Sequence, residues 1–180
     1  MQHLTIDTGV QEYSVNGRGV LRFNPGDPNL YHRFFAAGEP LARLDDELNR
    51  ALAEVEQNTG LTENARAAMA LELLAQCDAK LKALLGDIFG PENDIDAAVE
   101  GVNLAALSTN GKRVVQNLLE ALAPILREGA RRNVTARADA AVARADADRA
   151  ARQPAPAQPA AQAAAAQAAQ PAGQTAPAAL

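Results

Sequence analysis

Residues 62–85 read TENARAAMALELLAQCDAKLKALL, and this stretch does most to decide the fold. Its apolar residues recur every three or four positions, which places them on one face of an α-helix. They are Met69, Leu73, Leu74, Cys77, Leu81, Leu84 and Leu85. Thr62 can cap this helix, because its hydroxyl can accept a hydrogen bond from a free backbone N–H. At about 1.5 Å per residue the helix would be about 35 Å long, which spans a small domain.

Two other stretches show the same helical spacing. Residues 40–58 carry one apolar stripe, made of Leu41, Leu44, Leu48, Leu52 and Val55. Residues 110–129 carry another, made of Val114, Val115, Leu118, Leu119, Leu122, Ile125 and Leu126. Pro124 lies inside the second pattern, and its missing N–H predicts that this helix is kinked or ends early.

Shorter helices are predicted between these stretches. One is predicted to start at Asp27 and Pro28 and to end at Gly38-Glu39-Pro40. Asp27 can serve as its N-cap, and Pro28 is favoured at the first helical position. The segment 86–91, with a glycine at each end of GDIFG and a proline after it, predicts a break after the helix of residues 62–85. Another short helix is predicted at residues 94–100.

Residues 4–24 are predicted to form strands. Tyr13 and Val15 alternate with polar residues before the turn at residues 16–19, and Val20, Leu21 and Phe23 follow it. The turn begins with Asn-Gly, which tolerates positive φ and is a strong hairpin signal. Because a lone hairpin is marginal in water, it must pack on the helices or on a partner's sheet. The sequence therefore predicts a mostly α (α+β) fold, with an N-terminal β-hairpin packed on a four- to five-helix domain.

The composition changes after this domain. Residues 1–130 form the predicted helical domain with its hairpin. Residues 131–152 alternate Ala with Arg and Asp, which predicts a charged, solvated helix or linker. Residues 153–180 are almost wholly Ala, Pro and Gln, and they cannot bury enough apolar surface to offset the entropy of ordering. We therefore expect a disordered C-terminal tail.

The charge distribution argues against several classes of partner. Residues 1–130 carry 11 Lys and Arg against 19 Asp and Glu, which disfavours binding to a phosphate backbone. A single cysteine excludes an intrachain disulfide and fits a reducing cytosol. No uncharged apolar run reaches about 18 residues and no signal-peptide pattern is present, so we expect no membrane association.

The chemistry needed for catalysis is sparse. His3 and His32 are the two histidines, and neither has a metal-ligand partner at a suitable spacing. Cys77 lies on an apolar stripe, where a free cysteine is usually a small buried hydrophobe rather than a nucleophile. We therefore expect a protein that is not an enzyme and that has no catalytic residues, no metal site and no cofactor.

Two short motifs suggest chemistry but have simpler explanations. Gly17-Arg18-Gly19 resembles part of a phosphate-binding loop, yet it lacks the third glycine and the following helix, so a hairpin turn is favoured. Asp94-Ile95-Asp96 could suggest calcium, but the spaced ligands, central glycine and terminal glutamate of an EF-hand are missing. A solvated acidic face is the favoured interpretation.

Five motifs, taken in order, resemble those of a known group of proteins. They are IDTG (6–9), EYSVNG (12–17), LRFNPGD (21–27), DIFG (87–90) and NLLEAL (117–122). This order resembles a family of small tailed-phage and prophage proteins, whose size and character are similar to the tail assembly chaperones of long-tailed phages. The resemblance covers about residues 4–128. Glu100-Gly101 stands where relatives tend to carry a second aromatic-glycine pair, and the Ala/Pro/Gln tail lies outside the pattern.

The resemblance implies a partner and a place of action. Such chaperones coat the phage tape measure protein and recruit tail tube protein to it in the bacterial host cytoplasm. An apolar groove with an acidic rim would suit amphipathic client helices. The binding residues stay unknown from sequence, self-association is left open, and the apolar stripes could simply be core.

Two other functions stay open. The chain could be a minor structural virion protein of the tail or the head–tail joint, with its hairpin extending a neighbour's sheet. It could also be a small nucleic-acid-binding regulator that uses Arg131, Arg132, Arg137 and Arg144. The acidic domain disfavours the regulator.

Overall fold

The computed structural model describes residues 2–152. In them, strands β1 (Gln11–Val15) and β2 (Gly19–Phe23) are followed by helices α1 (Pro28–Gln57), α2 (Glu63–Phe89), α3 (Ile95–Ala98) and α4 (Val114–Arg152). The fold is mostly helical with an N-terminal antiparallel hairpin, as the sequence predicts. The predicted disordered tail, residues 153–180, lies outside the described residues.

The chain divides into two units, Met1–Arg137 and Ala138–Leu180. All packing described below belongs to the first unit. In the second unit, residues 138–152 are helical and every one of them is exposed. The predicted division of the chain at residues 130 and 152 stays a prediction.

The hairpin forms at the predicted turn. β1 and β2 are antiparallel, with Tyr13 opposite Leu21 and Val15 opposite Gly19. Asn16 and Gly17 have φ values of 52° and 82°, and two consecutive positive φ angles are what an Asn-Gly hairpin turn requires. Leu21 and Phe23 are only 2% and 4% exposed, so the hairpin is stabilised by packing on the helices.

The core joins the hairpin to all four helices of the described chain. Phe23 lies between Tyr13, stacked at 4.5 Å, and Phe89 of α2, whose ring is 5.2 Å away. Phe34 of α1 meets Phe89 edge-on at 5.6 Å. Each fully buried large side chain contributes about 1.5–3 kcal/mol of transfer free energy. The most deeply buried ones are Leu21, Leu30, Leu85, Ile88 and Leu104.

The predicted ends of three helices are wrong. Gly38-Glu39-Pro40 does not end α1, which continues to Gln57. Pro40 removes the hydrogen bond to the carbonyl of Ala36, but Ala36 is exposed, so water can satisfy that carbonyl. The apolar residues before and after Pro40, such as Ala37 and Leu48, still enter one core. Their burial outweighs the local cost of Pro40.

The same balance between burial of apolar residues and the local cost of a helix-breaking residue extends α2 and α4. α2 runs through Gly86 to Phe89, because Ile88 and Phe89 are buried and outweigh the roughly 1 kcal/mol cost of a helical glycine. α4 continues past Pro124 and Gly129, so the early end predicted from the sequence is wrong. Cys77, Leu81 and Leu122 are buried as the stripes predict. Leu73, Leu84 and Leu118, which the same stripes predict to be largely buried, are half-buried.

Several caps predicted from sequence are present. Asp27 accepts a hydrogen bond from the Asn29 amide at 2.9 Å, and Thr62 accepts one from Ala65 at 3.3 Å. At the other end of α2, the carbonyls of Ile88 and Phe89 accept hydrogen bonds from Arg33 and Asn93. These side chains satisfy backbone groups that the helix itself leaves free.

Two glycines allow backbone segments to touch. A Cβ on Gly19 would lie 1.8 Å from the Ala98 carbonyl oxygen, at the end of α3. A Cβ on Gly129 of α4 would lie 1.9 Å from the Pro25 carbonyl oxygen. Nearby, the Tyr31 hydroxyl lies 2.6 Å from the Leu126 carbonyl oxygen and also contacts that of Pro25, so its one proton can be donated to either. These contacts hold the hairpin and α1 close to α4.

We predict that Gly129→Ala lowers the free energy of unfolding by about 1–3 kcal/mol or more, because the new methyl group overlaps backbone atoms that cannot rotate away. Chemical denaturation monitored by circular dichroism measures this change. Gly86→Ala is the matched control, since a Cβ there meets no atom within 4 Å. That variant should be more stable by about 0.5–1 kcal/mol. Equal stability of the two variants would show that α4 does not pack on the Pro25 turn.

Candidate functional site

An apolar groove lies between the hairpin and the first half of α4. Its volume is about 340 Å³, at the lower end of the range of about 300–1,000 Å³ that ligand pockets span. The hairpin and the loop after α3 form one wall, and α4 forms the other. The lining residues are Tyr13, Ser14, Val15, Asn16, Leu21, Val99, Val102, Val114, Asn117, Leu118, Ala121, Leu122 and Ile125.

The residues that line the groove carry no charge. None of its lining residues in the described chain is acidic or basic, so the acidic rim expected from the resemblance is not found in the lining. Among its polar side chains, the half-buried Asn117 is already engaged: it donates to Ser108 Oγ at 2.8 Å and accepts from Asn110 at 2.9 Å. An apolar side chain can therefore enter without stripping water from a charged group.

Tyr13 lies in the groove as a neutral aromatic side chain. Its ring stacks on Phe23, and its hydroxyl donates to Gln11 Oε1 at 2.7 Å. Burial raises the pKa of Tyr13, and the nearby positive charge of Arg132 offsets part of that rise. At neutral pH Tyr13 therefore stays protonated.

The wall formed by α4 is positioned by Arg113, the residue before the helix. Its guanidinium donates from Nε to Asp45 at 2.5 Å and from Nη2 to Asn49 Oδ1 at 2.6 Å, both on α1. Nη1 donates to the Ala105 carbonyl at 2.6 Å. The side chain is 10% exposed, so these three acceptors replace nearly all of its water.

The loop before α4 is fixed on its other side by α2. Asp78 accepts a hydrogen bond from the Leu104 amide at 2.7 Å. The carbonyls of Leu104 and Ala106 accept hydrogen bonds from the amides of Val115 and Val114, each at 3.0 Å. The first turn of α4 is therefore connected to α2 through this loop and to α1 through Arg113. The position of Val114, which lines the groove, is therefore set by both α1 and α2.

The candidate catalytic residues lie apart from this groove. His3 and His32 are exposed. Cys77 is buried and lines a separate cavity of about 220 Å³ with Asp45 and Arg113. Burial raises the pKa of the Cys77 thiol, which favours the unreactive protonated form over the nucleophilic thiolate.

The two short motifs have structural roles. Asp94 caps α3 by accepting from the Ala97 amide at 3.0 Å, and Asp96 pairs with Lys82 at 2.6 Å. Gly17-Arg18-Gly19 lies at the hairpin turn, as predicted. No group of three or more His, Cys, Asp or Glu side chains within residues 2–152 is arranged to hold a metal ion.

Two of the four arginines of the nucleic-acid hypothesis are paired with a carboxylate. Arg131 and Arg132 both contact Glu128, at 3.1 and 3.8 Å. Arg137 and Arg144 are exposed on α4. Pairing of two of the four cations with a carboxylate weakens the electrostatic attraction that such binding needs.

Sequence patterns miss how the groove is assembled. Val99 and Val102 show no periodicity, and Arg113 precedes an apolar helix as an ordinary charged residue. The only sequence signal for the role of Arg113 is its position directly before Val114-Val115. A charged residue next to a buried apolar stripe needs a polar partner.

Comparison of the chain with family models, with curated proteins and with solved structures gave no match. Within residues 2–152, no helix combines the length and the apolarity needed to cross a membrane.

We predict that Arg113→Met lowers the free energy of unfolding by about 1–3 kcal/mol, because it leaves the buried Ala105 carbonyl without its donor and the Asp45 carboxylate without its cation. Arg43→Met is the matched control. It removes an exposed ion pair with Glu39 within α1 and should cost less than about 1 kcal/mol. Urea denaturation of both variants measures the difference. A cost for Arg113→Met as small as that of the control would show that Arg113 does not hold α4.

Proposed function

We propose that the chain is a protein-binding assembly factor whose groove accepts apolar side chains of a partner helix. Following the resemblance of its motifs, we propose that it is a phage tail assembly chaperone that binds the tape measure protein. We further propose that it recruits tail tube subunits and acts in the host cytoplasm by binding alone, without catalysis. The observation that carries the proposal is the neutral, apolar groove between the hairpin and α4.

The apolar lining and the size of the groove support a helical client. Amphipathic helices are recognised through a few anchor side chains, spaced three or four residues apart, that enter a hydrophobic groove. Val102 is 45% exposed and Ala121 is also exposed, so apolar surface is accessible at the mouth of the groove. A groove of this size holds few anchors, which suits weak contacts repeated along a long client.

Recruitment of tail tube subunits needs a second surface. The groove supplies none, and this part of the proposal rests on the resemblance alone. Other exposed large apolar residues of the first unit include Phe35 on α1 and Leu71 on α2, which are 82% and 68% exposed. Scattered exposed residues of this kind are common on protein surfaces, so they single out no site.

A minor structural virion protein is the second candidate, and one observation favours it. The outer edge of β1 has no backbone partner among the described residues, so it could extend the sheet of a neighbour in an assembled tail.

We predict that the tape measure protein of the same genome stays soluble when it is co-expressed with this chain and precipitates without it. Val102→Asp and Ala121→Glu should abolish this protection, because each places a charge at the mouth of the groove. The soluble fraction of the tape measure protein and its co-purification with the tagged chain measure the effect.

Ala136→Glu is the matched control, since it adds the same charge to an exposed position about four turns further along α4. It should protect as the unaltered chain does. If the tape measure protein is equally soluble alone, the chaperone proposal fails. If both groove variants protect fully, the groove is not the binding site.

Mass spectrometry of purified virions separates the two candidates. An assembly factor leaves the particle, so we predict that the chain is absent or present only in traces. A fixed stoichiometry relative to the tail tube protein would instead support the structural role.

A further inference from the structure

The two edges of the hairpin differ. Asn93 covers the outer edge of β2: its Oδ1 accepts from the Arg22 amide at 2.7 Å, and its Nδ2 donates to the Arg22 carbonyl at 2.9 Å. A side-chain amide thus takes the place of a third strand. Asn93 is only 8% exposed, and its Nδ2 also donates to Phe89, so the outward backbone groups of Arg22 are not free for a partner strand.

The outer edge of β1 is open. Because the amide and carbonyl of Arg22 both point away from β1, Arg22 and Glu12 form a non-hydrogen-bonded pair of the ladder. Pairs of this kind alternate along an antiparallel ladder, so Ser14 opposite Val20 is the next one. The backbone groups of Glu12 and Ser14 therefore point outward. They have no backbone partner within residues 2–152.

The segment before the hairpin has the pattern of a strand without a partner strand. Leu4 and Ile6 alternate with polar residues and are 89% and 69% exposed. No hydrogen bond joins residues 2–6 to the rest of the described chain. We call residues 2–7 the N-terminal arm. Alternation places Leu4 and Ile6 on one face of an extended arm.

The arm does not lie along its own β1 edge. The Thr8 carbonyl accepts from Asn24 Nδ2 at 2.9 Å, which holds the chain against the residue that follows β2. Gly9, at φ 66°, approaches the same Asn24 side chain, and its amide donates to Asp7 Oδ1 at 2.8 Å. The arm thus leaves the hairpin from the β2 side. It would have to break these contacts to return to β1.

We propose that the N-terminal arm of one copy of this chain pairs with the open β1 edge of a second copy, and that the exchange is reciprocal and closes a dimer. Within residues 2–152, each copy has a strand-forming segment and a strand edge that lack partners, and a pair of copies can satisfy both. Ser14 lies on this edge and also lines the apolar groove, so Leu4 and Ile6 of the added strand gain apolar surface beside them. This inference goes beyond the proposed function and needs no client.

Light scattering coupled to gel filtration, with the full chain alone, tests the proposal. The unaltered chain should have the mass of a dimer. The double substitution Leu4→Asp and Ile6→Asp should give a monomer, whereas Thr5→Asp, on the other face of the arm, should leave the dimer. Ser14→Pro should also give a monomer, because it removes an outward N–H while keeping the β1–β2 ladder. Ser14→Ala keeps that N–H and should stay dimeric.

A mixing experiment tests the exchange itself. A chain lacking residues 2–7 retains the edge, and the Ser14→Pro chain retains the arm, so each should be monomeric alone and the mixture should contain heterodimers. Circular dichroism and thermal melting check that each variant folds. If Ser14→Pro does not fold, the arm variants test the proposal. A monomeric unaltered chain, or a dimer that survives both the arm and the edge variants, overturns the proposal. Because no client is present, either result leaves the co-expression test of the chaperone function unaffected.

Discussion

The position of α4 depends on one nearly buried cation. Arg113 exchanges its water for Asp45 and Asn49 on α1 and for the Ala105 carbonyl in the loop. Removing a charge from water is costly, and the cost is offset only where hydrogen bonds satisfy the whole group. A different docking of α4 would leave the guanidinium without acceptors. Arg113 therefore acts less as a source of net stability than as a constraint on how the helices are arranged.

The groove follows from that constraint. Arg113 fixes the first turn of α4, and Gly129, touching the Pro25 carbonyl, fixes the helix about four turns later. Between these points α4 faces the inner side of the hairpin, whose position is set in turn by Gly19 against Ala98. Side chains fill part of the space between them, and the rest is the groove. The groove is thus set by the side chain of Arg113 at one end and by the backbone contacts of Gly19 and Gly129 elsewhere.

Much of the fold could be predicted from local sequence, but the site could not. Asn16-Gly17 predicts the turn and Thr62 the start of α2, because both signals act within a few residues. The extension of helices through Pro40, Gly86 and Pro124 depends on burial of residues on both sides, which local propensity does not contain. The groove needs Val102 beside Ala121 and Arg113 beside Asp45, pairs that only the tertiary fold brings together.

Site-specific photo-crosslinking tests most directly whether the groove binds the client. A photoreactive amino acid at Ala121 lies at the mouth of the groove, and the same group at Ala136 lies outside its lining. With the tape measure protein co-expressed, we expect a crosslinked product from position 121 and little or none from position 136. Equal crosslinking from both positions, or crosslinking from position 136 alone, would contradict it.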